Sequence, residues 1–361
     1  MDRHHFLRRA RREEMLAVAG RICGLHAQVM SSAELTLWAR VEDLDRDAVK
    51  RALWDDRTLV KLWAMRGTLH LLPASELGMW LGALGTYEHY LKPVWLRNFE
   101  VTREELEDLI DAVGAALDGE LRTRVELAAE VERVTGSSSM AERLQHSWGS
   151  YLKPASYRGV LCFGPGEGQR VRFTRPGSWI RGGIETVAPD DAVRNITRRY
   201  LGAFGPATRE DLGRWWGVSA ARARRMLGAL GDEAVEVDVE GEKFWMLAEH
   251  VSEVAGANPG NTARLLPGFD QWVIGASRTA PAQLDPEHKA RVYRPQGWIS
   301  PVLLVNGRIE GVWRHERKGR RLVVELEPFG RLPKWACSQV EREAGRLADF
   351  LGGELAISWA S

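Results

Sequence analysis

Cysteine is scarce in this 361-residue chain. Cys23, Cys162 and Cys337 are far apart, odd in number and without CxxC spacing. That excludes a disulfide framework and a zinc finger, and it fits a reducing cytoplasm. No apolar run approaches the roughly 20 residues that a membrane span requires. The basic terminus, residues 1–12, is not followed by the apolar stretch of a secretion signal. Lysine is rare beside arginine, and neither charge sign prevails, since the net charge is +1. A polyanion would therefore have to be held by local clusters and not by the field of the whole protein. His4 and His5 lie in the basic terminus without clustered acidic or thiol partners, so no metal site and no cofactor are expected.

What is present is a globular composition, 44% hydrophobic and 27% charged, in a chain too long for one ordinary core. Two to four modules are expected. One pattern recurs three times: short helices followed by a hairpin. It is clearest at 208–248. There Thr208 can cap a helix to Trp216, Gly217-Val218-Ser219 turns the chain, and Ser219 caps a second helix over 220–230. Residues 234–239 then alternate as a strand, Gly241 turns, and 243–248 return. This is the outline of a winged helix.

The first copy has a helix at 6–22, a capping box at Ser31-Ser32-Ala33-Glu34, a helix at 45–54 and a hairpin of 59–64 with 68–72. The second has capping boxes at Thr102 and Thr123 and a hairpin of 160–163 with 170–174. From Thr262 the pattern changes to a β-meander, 299–305, 308–315 and 322–326, hinged by Asn306-Gly307 and Lys318-Gly319. With 264–274 added, a small barrel is expected, followed by a helix at 333–351 and a strand at 354–359. The expected fold class is α+β, mostly α. Its modules are winged helices at 1–98, 99–187 and 188–258, and a C-terminal β-barrel with a terminal helix at 259–361.

The segment Gly24-Leu25-His26-Ala27-Gln28 joins the first two helices. If it is extended, His26 and Gln28 face the same way, as residues i and i+2 of a strand do. Spacing alone leaves two readings, a polar pair in one cleft or two caps for the flanking helices. Arginines cluster at 3–12, 194–225 and 308–321. Arg66 sits at the tip of the first hairpin with Thr68 beside it, Arg222 and Arg225 lie on the second helix of the third copy, and Asn306 and Arg308 flank a turn. Each is either a nucleic-acid contact or a solvated residue. The tryptophans, Trp63, Trp298 and Trp313 included, read as core.

Several blocks, in order, carry a resemblance: Gly24-Leu25-His26-Ala27-Gln28, Trp63-Ala64-Met65-Arg66-Gly67-Thr68-Leu69-His70, Leu265-Leu266-Pro267-Gly268-Phe269-Asp270 and Gly297-Trp298-Ile299-Ser300-Pro301-Val302, with Asn306-Gly307-Arg308 and Gly311-Val312-Trp313-Arg314 after them. The chain resembles the AlkZ-like and YcaQ-like DNA glycosylases over nearly its whole length. The resemblance implies tandem winged helices with a C-terminal barrel, double-stranded DNA carrying alkylated purines as partner, and excision of bulky alkylated bases or unhooking of crosslinks. Clearing of endogenous damage and self-resistance to a DNA-alkylating natural product both stay open.

The family's catalytic motif, Gln–hydrophobic–Gln or Gln–hydrophobic–Asp, maps onto His26-Ala27-Gln28, with His in place of the first Gln. N7 alkylation makes the purine a cationic leaving group, so a fixed dipole that holds a water suffices. His26, with an unperturbed pKa near 6.5, can accept the proton or hold the water. The connector has no lysine for a Schiff base, so hydrolysis without strand cleavage is expected. Three unequal modules in one chain do not need a dimer, so a monomer is expected. The competing function class is a non-catalytic winged-helix regulator, which would pair two copies on a palindrome.

Overall fold

The protein is described here by a computed structural model covering residues 1–361 except 147, 148, 169, 258, 259, 279, 281 and 361. The expected junction at 258–259 lies outside the described residues. The chain forms a mixed α/β structure in two compact units: Val49–Ile196, and Met1–Ala48 together with Thr197–Ser361.

In the unit Val49–Ile196, strands Leu59–Trp63 and Leu69–Pro73 pair antiparallel. Lys61 faces Phe163 and so joins them to Cys162–Glu167, which pairs with Arg170–Thr174. The helices start where the capping boxes predict. Thr102 and Glu105 cap Arg103–Ala116 reciprocally, and Thr123 and Glu126 cap Arg124–Thr135. Trp80, Tyr90, Tyr157 and Phe173 fill the interior.

In the other unit the helix–turn–helix expected at 208–230 is present. Thr208 accepts from Asp211 N at 3.1 Å ahead of helix Arg209–Trp216, and Ser219 caps helix Ala220–Gly228. Strands Ala234–Val239 and Glu242–Leu247 follow as a two-stranded ribbon. The C-terminal strands run in the order Glu354–Trp359, Arg321–Pro328, Arg308–Lys318, Val302–Val305, Ala263–Leu266. No closed barrel is found among the described residues. The strand Ala263–Leu266 has four residues before Pro267 and helix Gln271–Gly275, and its edge N–H at Ala263 goes to Gln339 Oε1 of helix Lys334–Leu351 at 2.7 Å. A helix, not another strand, covers that edge.

Two N-terminal expectations change. The helix at 6–22 is present only as Met15–Arg21, after short 3₁₀ turns at Asp2–His4 and Arg12–Glu14. The intervening chain runs extended because Ala10 bridges Val41, and Arg9 is drawn to Glu343, its Nη2 2.5 and 2.6 Å from the two carboxylate oxygens. The second helix is Met30–Trp38 with Val29 as its N-cap, so Ser31 and Ser32 lie inside its first turn and form no capping box.

A polar cluster is buried within this unit. Arg40 is fully buried and donates to both oxygens of fully buried Asp270 at 2.7 Å. It also donates to Thr36 O at 2.9 Å and packs on the Phe6 ring at 4.6 Å. His4 bridges Ala203 O and Arg40. Its Nε2 donates to the carbonyl, so its Nδ1 must accept from Arg40 Nη2. Burial, and then the Arg40 charge, hold its pKa well below 6.5, so it serves as a neutral bracket.

Candidate functional site

The connector leaves helix Met15–Arg21 through Cys23 and Gly24, both at positive φ, and is extended at Leu25–His26. It bends at 28–29 and enters helix Met30–Trp38. His26 is 5% exposed, whereas Gln28 is exposed. The pair therefore differs in access: the imidazole is walled in and the amide meets solvent.

The imidazole lies flat on Phe269, ring centroids 4.8 Å apart and planes 10° from parallel. Phe269 has φ 59°, a left-handed backbone that a bulky residue adopts only when its surroundings force it. Those surroundings are visible. On one side Gly268 passes so close to Ile299 that a Cβ there would meet its carbonyl oxygen at 2.9 Å. On the other, Asp270 is clamped by Arg40 and caps Trp272 N at 2.8 Å. Asp270 therefore acts as a frame, because both of its oxygens are occupied. Phe269 in turn meets Trp298 in a T-shaped contact, centroids 5.0 Å apart and planes at 74°. A ladder of three rings runs from buried His26 to Trp298, which is 49% exposed.

Trp298 was missed by reasoning from alternation, which assigns it to the core. The strand starts only at Val302, and Gln296 and Gly297, both at positive φ, turn the chain just before Trp298. Pro295 and Gly297, two chain punctuators just before Trp298, were the available signal.

Arg66 and Thr68 belong to the other unit. Arg66 is exposed at the hairpin tip Met65–Gly67, with φ 57°. The tip is rigid: Ala64 N donates to Thr68 O at 2.9 Å and the Thr68 hydroxyl donates to Met65 O at 3.0 Å. Gly67 is required, at φ 68°, because a Cβ there would stand 2.9 Å from the Tyr157 hydroxyl. Lys153 lies against the same glycine, its ammonium pKa pushed down by burial. Burial, and then the charges of Lys153 and Lys92, push His89 down as well.

The remaining candidates lie in the unit of Met1–Ala48 and Thr197–Ser361. Arg222 is half-buried and Arg225 exposed on helix Ala220–Gly228. Asn306 holds its turn, accepting from Thr262 N at 2.9 Å. Arg308 pairs with Glu310 at 3.1 Å and donates to Ala282 O at 2.9 Å. Among the described residues no cluster of His, Cys, Asp or Glu could hold a metal ion, and no helix is long and apolar enough to cross a membrane.

The family described as "DNA glycosylase AlkZ-like" matches residues 19–350. An interstrand DNA cross-link repair glycosylase of Streptomyces sahachiroi is 42% identical over 339 residues, 93% of this chain and 90% of that protein. The structure named Streptomyces sahachiroi DNA glycosylase AlkZ superposes with a TM-score of 0.89 at 40% identity, over 99% of this chain and 96% of the other.

Proposed function

The chain belongs to the AlkZ-like family of DNA glycosylases, and from that premise we propose that it hydrolyses the N-glycosidic bond of bulky N7-alkylated purines in double-stranded DNA and unhooks crosslinks that join two such bases. The observation that carries the reading is the connector: an exposed amide, Gln28, two residues after a buried imidazole, His26, with no lysine or carboxylate between them. Such a site has dipoles to offer and no amine nucleophile. The Gln28 carbonyl holds a water against C1′ and stabilises the oxocarbenium-like sugar. The water oxygen bonds to C1′, the C1′–N9 bond breaks, and its electron pair neutralises the departing cationic purine. The water's proton passes to solvent or to His26. The product strand carries an abasic site and no nick.

In this reading the segments 1–98, 99–187 and 188–258 are winged-helix modules, and the open C-terminal sheet stands in place of the barrel. The enzyme works as a monomer, without cofactor, on bacterial cytoplasmic DNA. The test is incubation with a duplex carrying one N7-alkylguanine, followed by mild alkali, against an enzyme-free control for spontaneous depurination. Enzyme-dependent breaks at the adduct, seen only after alkali, are expected. Breaks before alkali would point to a lyase, and none at all would remove the assignment.

Arg66 has the geometry of a groove probe, a cation on a rigid two-stranded tip. Arg66→Ala is expected to weaken duplex binding by about 5- to 20-fold at low salt and to lower the slope of log Kd against log[salt] by about 1. An unchanged slope in an anisotropy titration would make the tip only a turn.

A further inference from the structure

The loop that carries Trp298 is fixed on both legs. Tyr293 bridges Ile299, Arg294 N donates to Trp298 O at 2.8 Å, and Ser300 N donates to Val292 O at 2.9 Å. The Ser300 hydroxyl closes on Arg291 O at 2.8 Å. Residues 294–298 are exposed throughout. A rigid loop thus holds an indole half in solvent, although Trp80, Trp215 and Trp216 are fully buried. About half of the residue is covered, with Phe269 as its ring partner, and the exposed half leaves apolar surface in water. An exposed aromatic on a rigid support is what a stacking ligand needs.

We infer that Trp298 is the stacking surface for the alkylated purine, in an inference that rests on the glycosylase reading of His26 and Gln28. The ladder makes the indole continuous, through Phe269, with the imidazole of the catalytic connector. An N7-alkylated purine is flat and cationic, and the face of an indole carries the negative end of its quadrupole. Stacking and cation–π attraction therefore favour the damaged base over the neutral one. The clamp on Asp270 keeps Phe269, and with it the indole, from tilting away. Trp298 thus selects and positions the base, while the connector acts at the sugar.

The experiment compares wild type, Trp298→Ala and Trp298→Phe by anisotropy on two duplexes of one sequence. One is unmodified. The other carries an N7-methylguanine on a 2′-fluorinated sugar, which keeps the base attached. Wild type is expected to prefer the modified duplex. Trp298→Ala should lose roughly 5- to 150-fold of affinity for it, the range of one lost base–aromatic stack, with unmodified DNA bound as before. Its melting temperature should not change, and Trp298→Phe should stay within about 3-fold of wild type. The inference is overturned if wild type has no preference, if Trp298→Ala keeps it, or if both duplexes lose affinity equally. A loss accompanied by a lowered melting temperature would make the residue structural and overturn it as well. Base release from an unfluorinated adduct separates the two claims. No release by wild type defeats the glycosylase reading, whereas release with undiminished discrimination in Trp298→Ala defeats only the stacking role.

Discussion

Gln28→Ala is expected to slow single-turnover base release by roughly 10- to 1000-fold, the scale of one preorganised dipole, while DNA affinity stays near that of wild type. The amide is exposed at the bend of the connector, so its loss leaves no cavity and should not unfold the protein. In the proposed reaction its interaction strengthens only as charge develops on the sugar, and losing such an interaction lowers the rate without weakening binding. His26 separates two roles. If it takes the water's proton, the wild-type rate falls below its pKa and that dependence disappears in His26→Ala. If it holds the water or the Phe269 ring, His26→Gln, which restores the commoner family motif, keeps much of the rate. A cationic leaving group asks little of the nucleophile, so the positioning role is the expected one. Wild-type rates in all these variants across a pH series would remove the connector from the mechanism.

The second large effect is on stability. Asp270→Ala leaves the fully buried Arg40 guanidinium without its counter-charge and removes the cap of helix Gln271–Gly275. A loss of about 3–5 kcal/mol is expected, the usual cost of stranding a buried charge. Replacing both partners, Arg40→Met with Asp270→Leu, should recover most of it, because the uncompensated charge is what costs. Urea unfolding of the single and double variants checks this. A single-variant loss under about 1 kcal/mol would show that water reaches Arg40. Because Asp270 follows Phe269, the single variant should also slow base release.

Local chemistry made part of this fold legible. The caps at Thr102, Thr123, Thr208 and Ser219 act within one turn of their helices, and each starts a helix where the residues place it. Asn306-Gly307 turns with both residues at positive φ, as its type requires. Ser31 misled because Val29 lets the helix begin at Met30, and no side-chain oxygen is used. The barrel misled because closure depends on a distant strand edge, and helix Lys334–Leu351 takes that edge through Gln339. At the candidate site, the extended backbone expected for the connector is seen at Leu25–His26, and the roles of His26 and Gln28 are a proposal from the family motif. The ring ladder was not legible, since it joins His26 to Phe269 across the length of the sequence and depends on the backbone at Gly268 and Phe269.

The most direct test uses a short duplex with one guanine N7–N7 interstrand crosslink, incubated with wild type or Gln28→Ala and resolved on a denaturing gel before and after alkali. The account predicts that wild type converts the crosslinked species into separate strands that are full-length before alkali and cut at the former guanine after it. Gln28→Ala should do so at least about 10-fold more slowly. A crosslinked band that persists while the protein binds the duplex would contradict it.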